Sequence, residues 1–142
     1  MANNFLQLIQ LLSIPFWVSM ILFPRNKLTQ NLVTSYWPFI AFGCIYFLVI
    51  ASAISTNLGG FNLSFEGLKS VLSSDWGVVV AWTHFITLDL FAGVWIFRDA
   101  KYWRIQSGFY LILTMFAGPL GLGLYLLSRQ RKMRNDPAQT LN

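Results

Sequence analysis

Charge is the scarcest property of this sequence. Of its 142 residues 11% are charged, and only five are acidic, whereas an ordinary soluble domain carries about 25% charged residues. Cysteine and histidine occur once each, as Cys44 and His84. A single cysteine excludes an intramolecular disulfide, and its place inside an apolar run reads as that of a small packing residue. One His, one Cys and five carboxylates, without H-E-x-x-H or C-x-x-C spacing, offer no recognisable metal site. A phosphate-binding loop is missing too, since Gly118 to Gly123 lacks both the four-residue spacing and the Lys-Ser/Thr ending. No serine stands in a nucleophile signature with a base beside it. The first residues lack a basic n-region, a small-residue cleavage site and an Arg-rich transit segment, so the first apolar run is expected to be retained.

Apolar residues are what the chain has in abundance. The sequence is 56% hydrophobic and 17% aromatic, with a mean hydropathy of +0.56. That composition implies an all-α membrane protein whose core is shared with the lipid bilayer. A net charge of +5 could suggest nucleic acid. The basic residues cluster at helix ends and in the tail, however, where topology and anionic lipid account for them, and no nucleic-acid partner is expected.

Four apolar runs are long enough to span, at about 5–23, 36–56, 76–97 and 105–127. Pro15 is expected to kink the first. A polar connector follows it from Pro24 to Ser35. Tyr36, Trp37 and Pro38 open the second as an aromatic anchor followed by a residue suited to a helix's first turn. Between the second and third runs, Gly59 and Gly60 break the helix. Ser64 is placed to cap a short interfacial helix with Glu66 in its first turn and Phe65, Leu68 and Leu72 at helical spacing. Asn62 to Ser64 spells a glycosylation acceptor, meaningful only in a lumenal loop. Trp76 and Trp103 lie roughly 40 Å apart along a helix and read as interface anchors, and Arg98 with Asp99 as a solvated boundary pair. Gly118, Pro119, Gly121 and Gly123 make the fourth run kinked, unwound or closely packed. A basic, polar tail, with Asp136-Pro137, occupies 128–142. If all four runs span, each side carries five basic residues and the positive-inside rule ties. A fourth run that re-enters at Gly118-Pro119 would instead collect nine on one side against one.

His84 and Asp89 are the ionisable residues in the middle of the third run. An Asp near a helix centre costs about 2.5 to 3.5 kcal/mol, and eleven apolar neighbours from Val78 to Phe97 return roughly 3 to 7, so the helix still inserts. Intramembrane ionisable groups normally face an interior or a cavity and mark function. Their spacing of five puts them about 140° apart around an ideal helix and ~7.5 Å apart along it. They can border one cavity from two sides, with Thr83 and Thr87 adding hydroxyls, but do not share a face. A carboxylic acid and an imidazole form a usable acid and base couple. A structural acceptor at Asp89 and a packing histidine at 84 are the bland alternatives.

The pattern Trp82-x-His84-x4-Asp89-Leu90-Phe91-x-Gly93, then Asp99-Ala100, then Gly118-Pro119-x-Gly121-Leu122-x2-Tyr125 resembles the abscisic-acid-deficient-four-like family of small integral membrane proteins. The resemblance runs from the first span to the fourth. It implies neoxanthin synthase-like activity: an epoxide on a xanthophyll end ring opens while a proton leaves the polyene, giving an allene and a tertiary hydroxyl without a cofactor. It further implies that His84 and Asp89 are catalytic, with either order of acid and base, and that Trp82, Thr83, Thr87, Phe91, Gly93, Gly118, Pro119 and Tyr125 contact the substrate. Plant members carry a transit peptide; a chain that starts at its first span is expected to be a bacterial, cyanobacterial homologue in a plasma or thylakoid membrane. Three functions compete on sequence alone. They are an isomerase acting on a carotenoid or other apolar isoprenoid, a pigment-binding or assembly subunit of a photosynthetic membrane complex, and a proton or solute pathway, which one protomer could line only as an oligomer.

Overall fold

A computed structural model describes residues 2–55 and 64–135. Every element among them is helical: α1 (Ala2–Leu22), α2 (Lys27–Thr34), α3 (Trp37–Ser55), α4 (Phe65–Leu72), α5 (Asp75–Tyr102) and α6 (Gly108–Asn135). Backbone polar groups in hydrocarbon have no water to bond, which makes the helix the economical answer for an apolar run. Four helices, α1, α3, α5 and α6, are long and apolar enough to cross a membrane. The Gly59-Gly60 break, the Asn62 acceptor and the Asp136-Pro137 tail lie outside the described residues.

The chain divides into two compact units, one of residues 1–14 with 35–88 and the other of 15–34 with 89–142. In the first unit the buried side chains include Ile9, Phe42, Val49 and Val79, and Phe5 packs on Trp76 with ring centroids 5.7 Å apart. The short helix expected between the second and third runs is present as α4. Ser64 is its N-cap, with Oγ accepting from Gly67 N at 3.1 Å, and Glu66 lies in the first turn. Phe65, Leu68 and Leu72 are exposed on it. Cys44, expected to be a small packing residue, is exposed on α3, which buries Phe42, Val49 and Ala53 instead.

The second unit departs furthest from expectation. The connector after α1 is a helix, α2, started by Asn26, whose side-chain oxygen accepts from Leu28 N at 2.9 Å. It docks back on the end of α1. Thr29, buried, donates to the Phe23 carbonyl at 2.8 Å, and Gln30 Nε2 donates to the Pro24 carbonyl at 2.6 Å, which satisfies carbonyls that a helix C-terminus leaves open.

α6 is no straight rod. Ala117 leaves the helical region at φ −144°, ψ 56°, and Pro119 has no N–H for the carbonyl four residues back while biasing Gly118 away from α geometry. The helix doubles back there. Tyr110 Oη and Ser128 Oγ, 18 residues apart in sequence, are 2.7 Å apart; a straight helix would hold the two residues ~27 Å apart. The Tyr110 and Tyr125 rings likewise meet edge to face with centroids 5.5 Å apart. At the elbow the arms come so close that a Cβ on Gly121 would run into the backbone of Thr114. The arm from Gly108 to Phe116 rises only ~14 Å, against ~30 Å of hydrocarbon.

Candidate functional site

The α6 elbow and α5 meet at Asp89. Gly118 is buried, and a Cβ there would overlap the Asp89 carboxylate. The carboxyl group therefore lies directly on bare backbone, an approach that only glycine permits. Asp89 itself is half-buried, and no hydrogen bond or ion pair reaches it among the described residues. One turn further along both helices, Phe91, Ala92, Trp95, Leu122 and Leu126 line an apolar groove of about 320 Å³. Gly93 is buried and admits the indole of Trp17 from α1, where any Cβ would collide with the ring.

The other residues singled out by sequence fall in different places. His84 is exposed and packs on Tyr46 of α3 and Phe85, with ring centroids at 5.7 Å and 6.2 Å. Trp82 is exposed and meets Phe85 edge to face. The hydroxyls of Thr83 and Thr87 turn back onto their own helix, donating to the Val79 and Thr83 carbonyls at 2.6 Å and 2.7 Å. Pro119 is exposed on the outside of the elbow. Tyr125 is fully buried.

Around Tyr125 lies a polar cluster that the sequence does not announce. Its hydroxyl donates to Asp99 Oδ2, and Arg129 Nε donates to the same oxygen at 2.8 Å. Trp95 and Tyr110 close on the Tyr125 ring edge to face, at 5.7 Å and 5.5 Å. The Arg129 guanidinium stands 5.2 Å from the Trp103 ring centroid, a cation–π arrangement. Two sequence expectations change here. Asp99 pairs with α6, not with its neighbour Arg98, because the doubled-back arm delivers Arg129 to it. Trp103 is 3% exposed beneath that arginine instead of anchoring in the headgroups, and its Nε1 is the one buried side-chain N or O atom among the described residues without a hydrogen-bond partner. Asp99-Ala100 and Tyr125 both stood in the family pattern, which was the available signal. Nothing local linked them, since Tyr125 and Arg129 are 26 and 30 residues from Asp99.

Comparison with known proteins agrees with the pattern noted in the sequence. The model of the ABA DEFICIENT 4-like family matches residues 5–125. Protein ABA DEFICIENT 4, chloroplastic, from Arabidopsis thaliana is 24% identical over 123 residues, covering 82% of this chain. The chain spans 56% of the length of that relative. No solved structure matches. With the family match extending from the start of α1 to the buried Tyr125, this chain belongs to the ABA DEFICIENT 4-like family.

Proposed function

We propose that this protein binds a carotenoid from the bilayer and isomerises an epoxide-bearing end ring to an allenic product, with Asp89 as the proton-transferring group. The observation that carries this reading is the Asp89 carboxyl, unpartnered among the described residues, resting on Gly118 beside an apolar groove. Phe91, Trp95, Leu122 and Leu126 offer the polyene an apolar wall reached from the lipid, and a carboxyl without a competing partner is free for substrate.

The chemistry balances within the substrate. The carboxylic acid protonates the epoxide oxygen as the C–O bond at the polyene-bearing ring carbon breaks. The C–H pair on the adjacent polyene carbon becomes the second double bond of the allene, and that proton returns to the carboxylate. The oxygen stays on the other ring carbon as a tertiary hydroxyl, and Asp89 ends as it began. The two reacting atoms are neighbours in the substrate, whereas His84 and Asp89 project about 140° apart on an ideal helix. One carboxyl, giving from one oxygen and accepting on the other, spans the reacting atoms better than that pair.

The fold also supports an orientation. Because α6 doubles back, its basic end returns to the end of α5 that carries Arg98, Lys101 and Arg104. Nine of the ten Lys and Arg residues then belong with that end, and Lys69 alone stands just before the opposite, N-terminal end of α5. The positive-inside rule turns the nine-residue side to the cytoplasm or its equivalent compartment.

Purified full-length protein in liposomes, supplied with an epoxy-xanthophyll and followed by chromatography, tests the reaction. Asp89→Asn should lower product formation by at least ~100-fold, the usual worth of acid and base catalysis, while His84→Ala should cost less than ~10-fold. Full activity in Asp89→Asn would sink the proposal. An equal loss in His84→Ala would restore the two-residue couple. Pigment retained unchanged by active-site-intact protein would favour the second reading, binding without turnover, for which the groove alone suffices.

A further inference from the structure

On the basic side of the second unit, where α1 and α5 end and α6 begins, lies a cleft of about 660 Å³ that the proposed reaction does not use. Arg25, Lys101 and Arg104 line it, and no carboxylate does. Met20, Ile21 and Phe97 form an apolar wall, and Ser107 and Gly108 bring in the first turn of α6, whose backbone N–H groups have no intrahelical acceptors. The cations are presented rather than neutralised. Lys101 Nζ donates to Gln30 Oε1 at 3.1 Å, and Gln30 is held by the Pro24 carbonyl, so the ammonium is positioned by a neutral partner and not by a carboxylate. The one ion pair among the described residues, Arg129 with Asp99, involves none of the three. Arg104 is also the one non-glycine residue described with positive φ, at 54°. Side chains resist that conformation, and residues held in it concentrate at ligand sites.

We infer that this cleft binds the phosphate-bearing headgroup of an anionic amphiphile, with the chain leaving along Met20, Ile21 and Phe97. The volume lies within the ~300 to 1,000 Å³ of ordinary ligand pockets. Basic pockets among helix ends at the membrane surface suit anionic headgroups, and the apolar wall adds a preference for a phosphate that carries a chain over the free ion.

Native mass spectrometry of the full-length protein in detergent, titrated with phosphatidylglycerol, phosphatidylcholine and inorganic phosphate, tests this. Phosphatidylglycerol should be retained at least ~10-fold more tightly than phosphatidylcholine, and inorganic phosphate should not displace it. Each cation is worth about fivefold near a charged surface, so Arg25→Gln, Lys101→Gln and Arg104→Gln together should weaken binding by ~100-fold. Arg104→Gly alone relieves the left-handed backbone, keeps the fold and should cost about fivefold. Arg131→Gln, Lys132→Gln and Arg134→Gln in the tail should leave retention unchanged. Wild-type retention in both the triple variant and Arg104→Gly, or an equal loss in the tail variant, would overturn the inference. Displacement by inorganic phosphate would overturn the role of the apolar wall and assign the cations to the free ion.

Discussion

Asp99 and Asp89 stand on the same helix and in the same compact unit, ten residues apart, and α6 meets both. At Asp99 the returning arm of α6 brings a phenol and a guanidinium to one carboxylate oxygen, and aromatic rings pack around them. At Asp89 the same helix contributes a glycine at its elbow and no donor at all. A carboxylate held by two donors of its own protein, one of them charged, serves to fix the arm. A half-buried carboxyl given bare backbone and no donor among the described residues costs the fold free energy, and such a cost is normally retained for function. On the proposed reaction, the contrast separates a structural acid from a working one more sharply than membrane depth does.

The contrast is broken first by removing the structural acid. Asp99→Ala leaves the Arg129 guanidinium and the Tyr125 hydroxyl without their acceptor, and the loss of one partner of a half-buried pair should cost about 3 kcal/mol. Thermal unfolding in detergent would read this as a large drop in Tm. Adding Arg129→Met should recover most of it, since an apolar replacement of the whole pair is often tolerated. By comparison, Asp89→Asn should leave Tm unchanged or raised while abolishing turnover. If Asp89→Asn unfolds the protein as readily as Asp99→Ala, the two carboxylates do the same job and the distinction falls.

A smaller effect tests the contact at the elbow. Gly118→Ala places a methyl group where the Asp89 carboxylate lies, and overpacking of this kind costs about 1 to 3 kcal/mol. The added variant Asp89→Ala should remove most of that penalty, because the colliding atoms are gone. A double-mutant cycle with no coupling would place Asp89 away from Gly118 in solution.

How much of this was written in the sequence follows from the range of the forces involved. Long apolar runs report their helices directly, so the run expected over 36–56 contains the helix Trp37–Ser55, and the Ser64 cap is in place because a cap is decided within four residues. α2 was read as a connector because most of Lys27–Thr34 is polar. What makes it a helix is the Asn26 cap and the docking of Thr29 and Gln30 on α1, neither of which is a hydropathy signal. Gly118-Pro119 announced a break in α6 without its angle, since a proline forbids a hydrogen bond but does not say what the freed chain will pack against. The angle comes from pairs such as Tyr110 with Ser128. The contact of Asp89 with Gly118 depends on that angle, which is why His84, the nearer ionisable residue in sequence, looked like the natural partner.

The smallest expected effect isolates the latch across the two arms. Ser128→Ala removes the partner of the Tyr110 hydroxyl, 2.7 Å away, and interhelical hydrogen bonds within membranes average about 0.6 kcal/mol. The hairpin should survive such a loss, because Asp99 still holds Tyr125 and Arg129 and the Gly121 approach to Thr114 is unaffected. Hydrogen exchange should nevertheless quicken in the short arm from Gly108 to Phe116, which has fewer ties, more than in the arm that carries Tyr125. Equal quickening in both arms would mean that the hairpin opens as one piece, and that the Asp99 end does not anchor the returning arm independently of the latch.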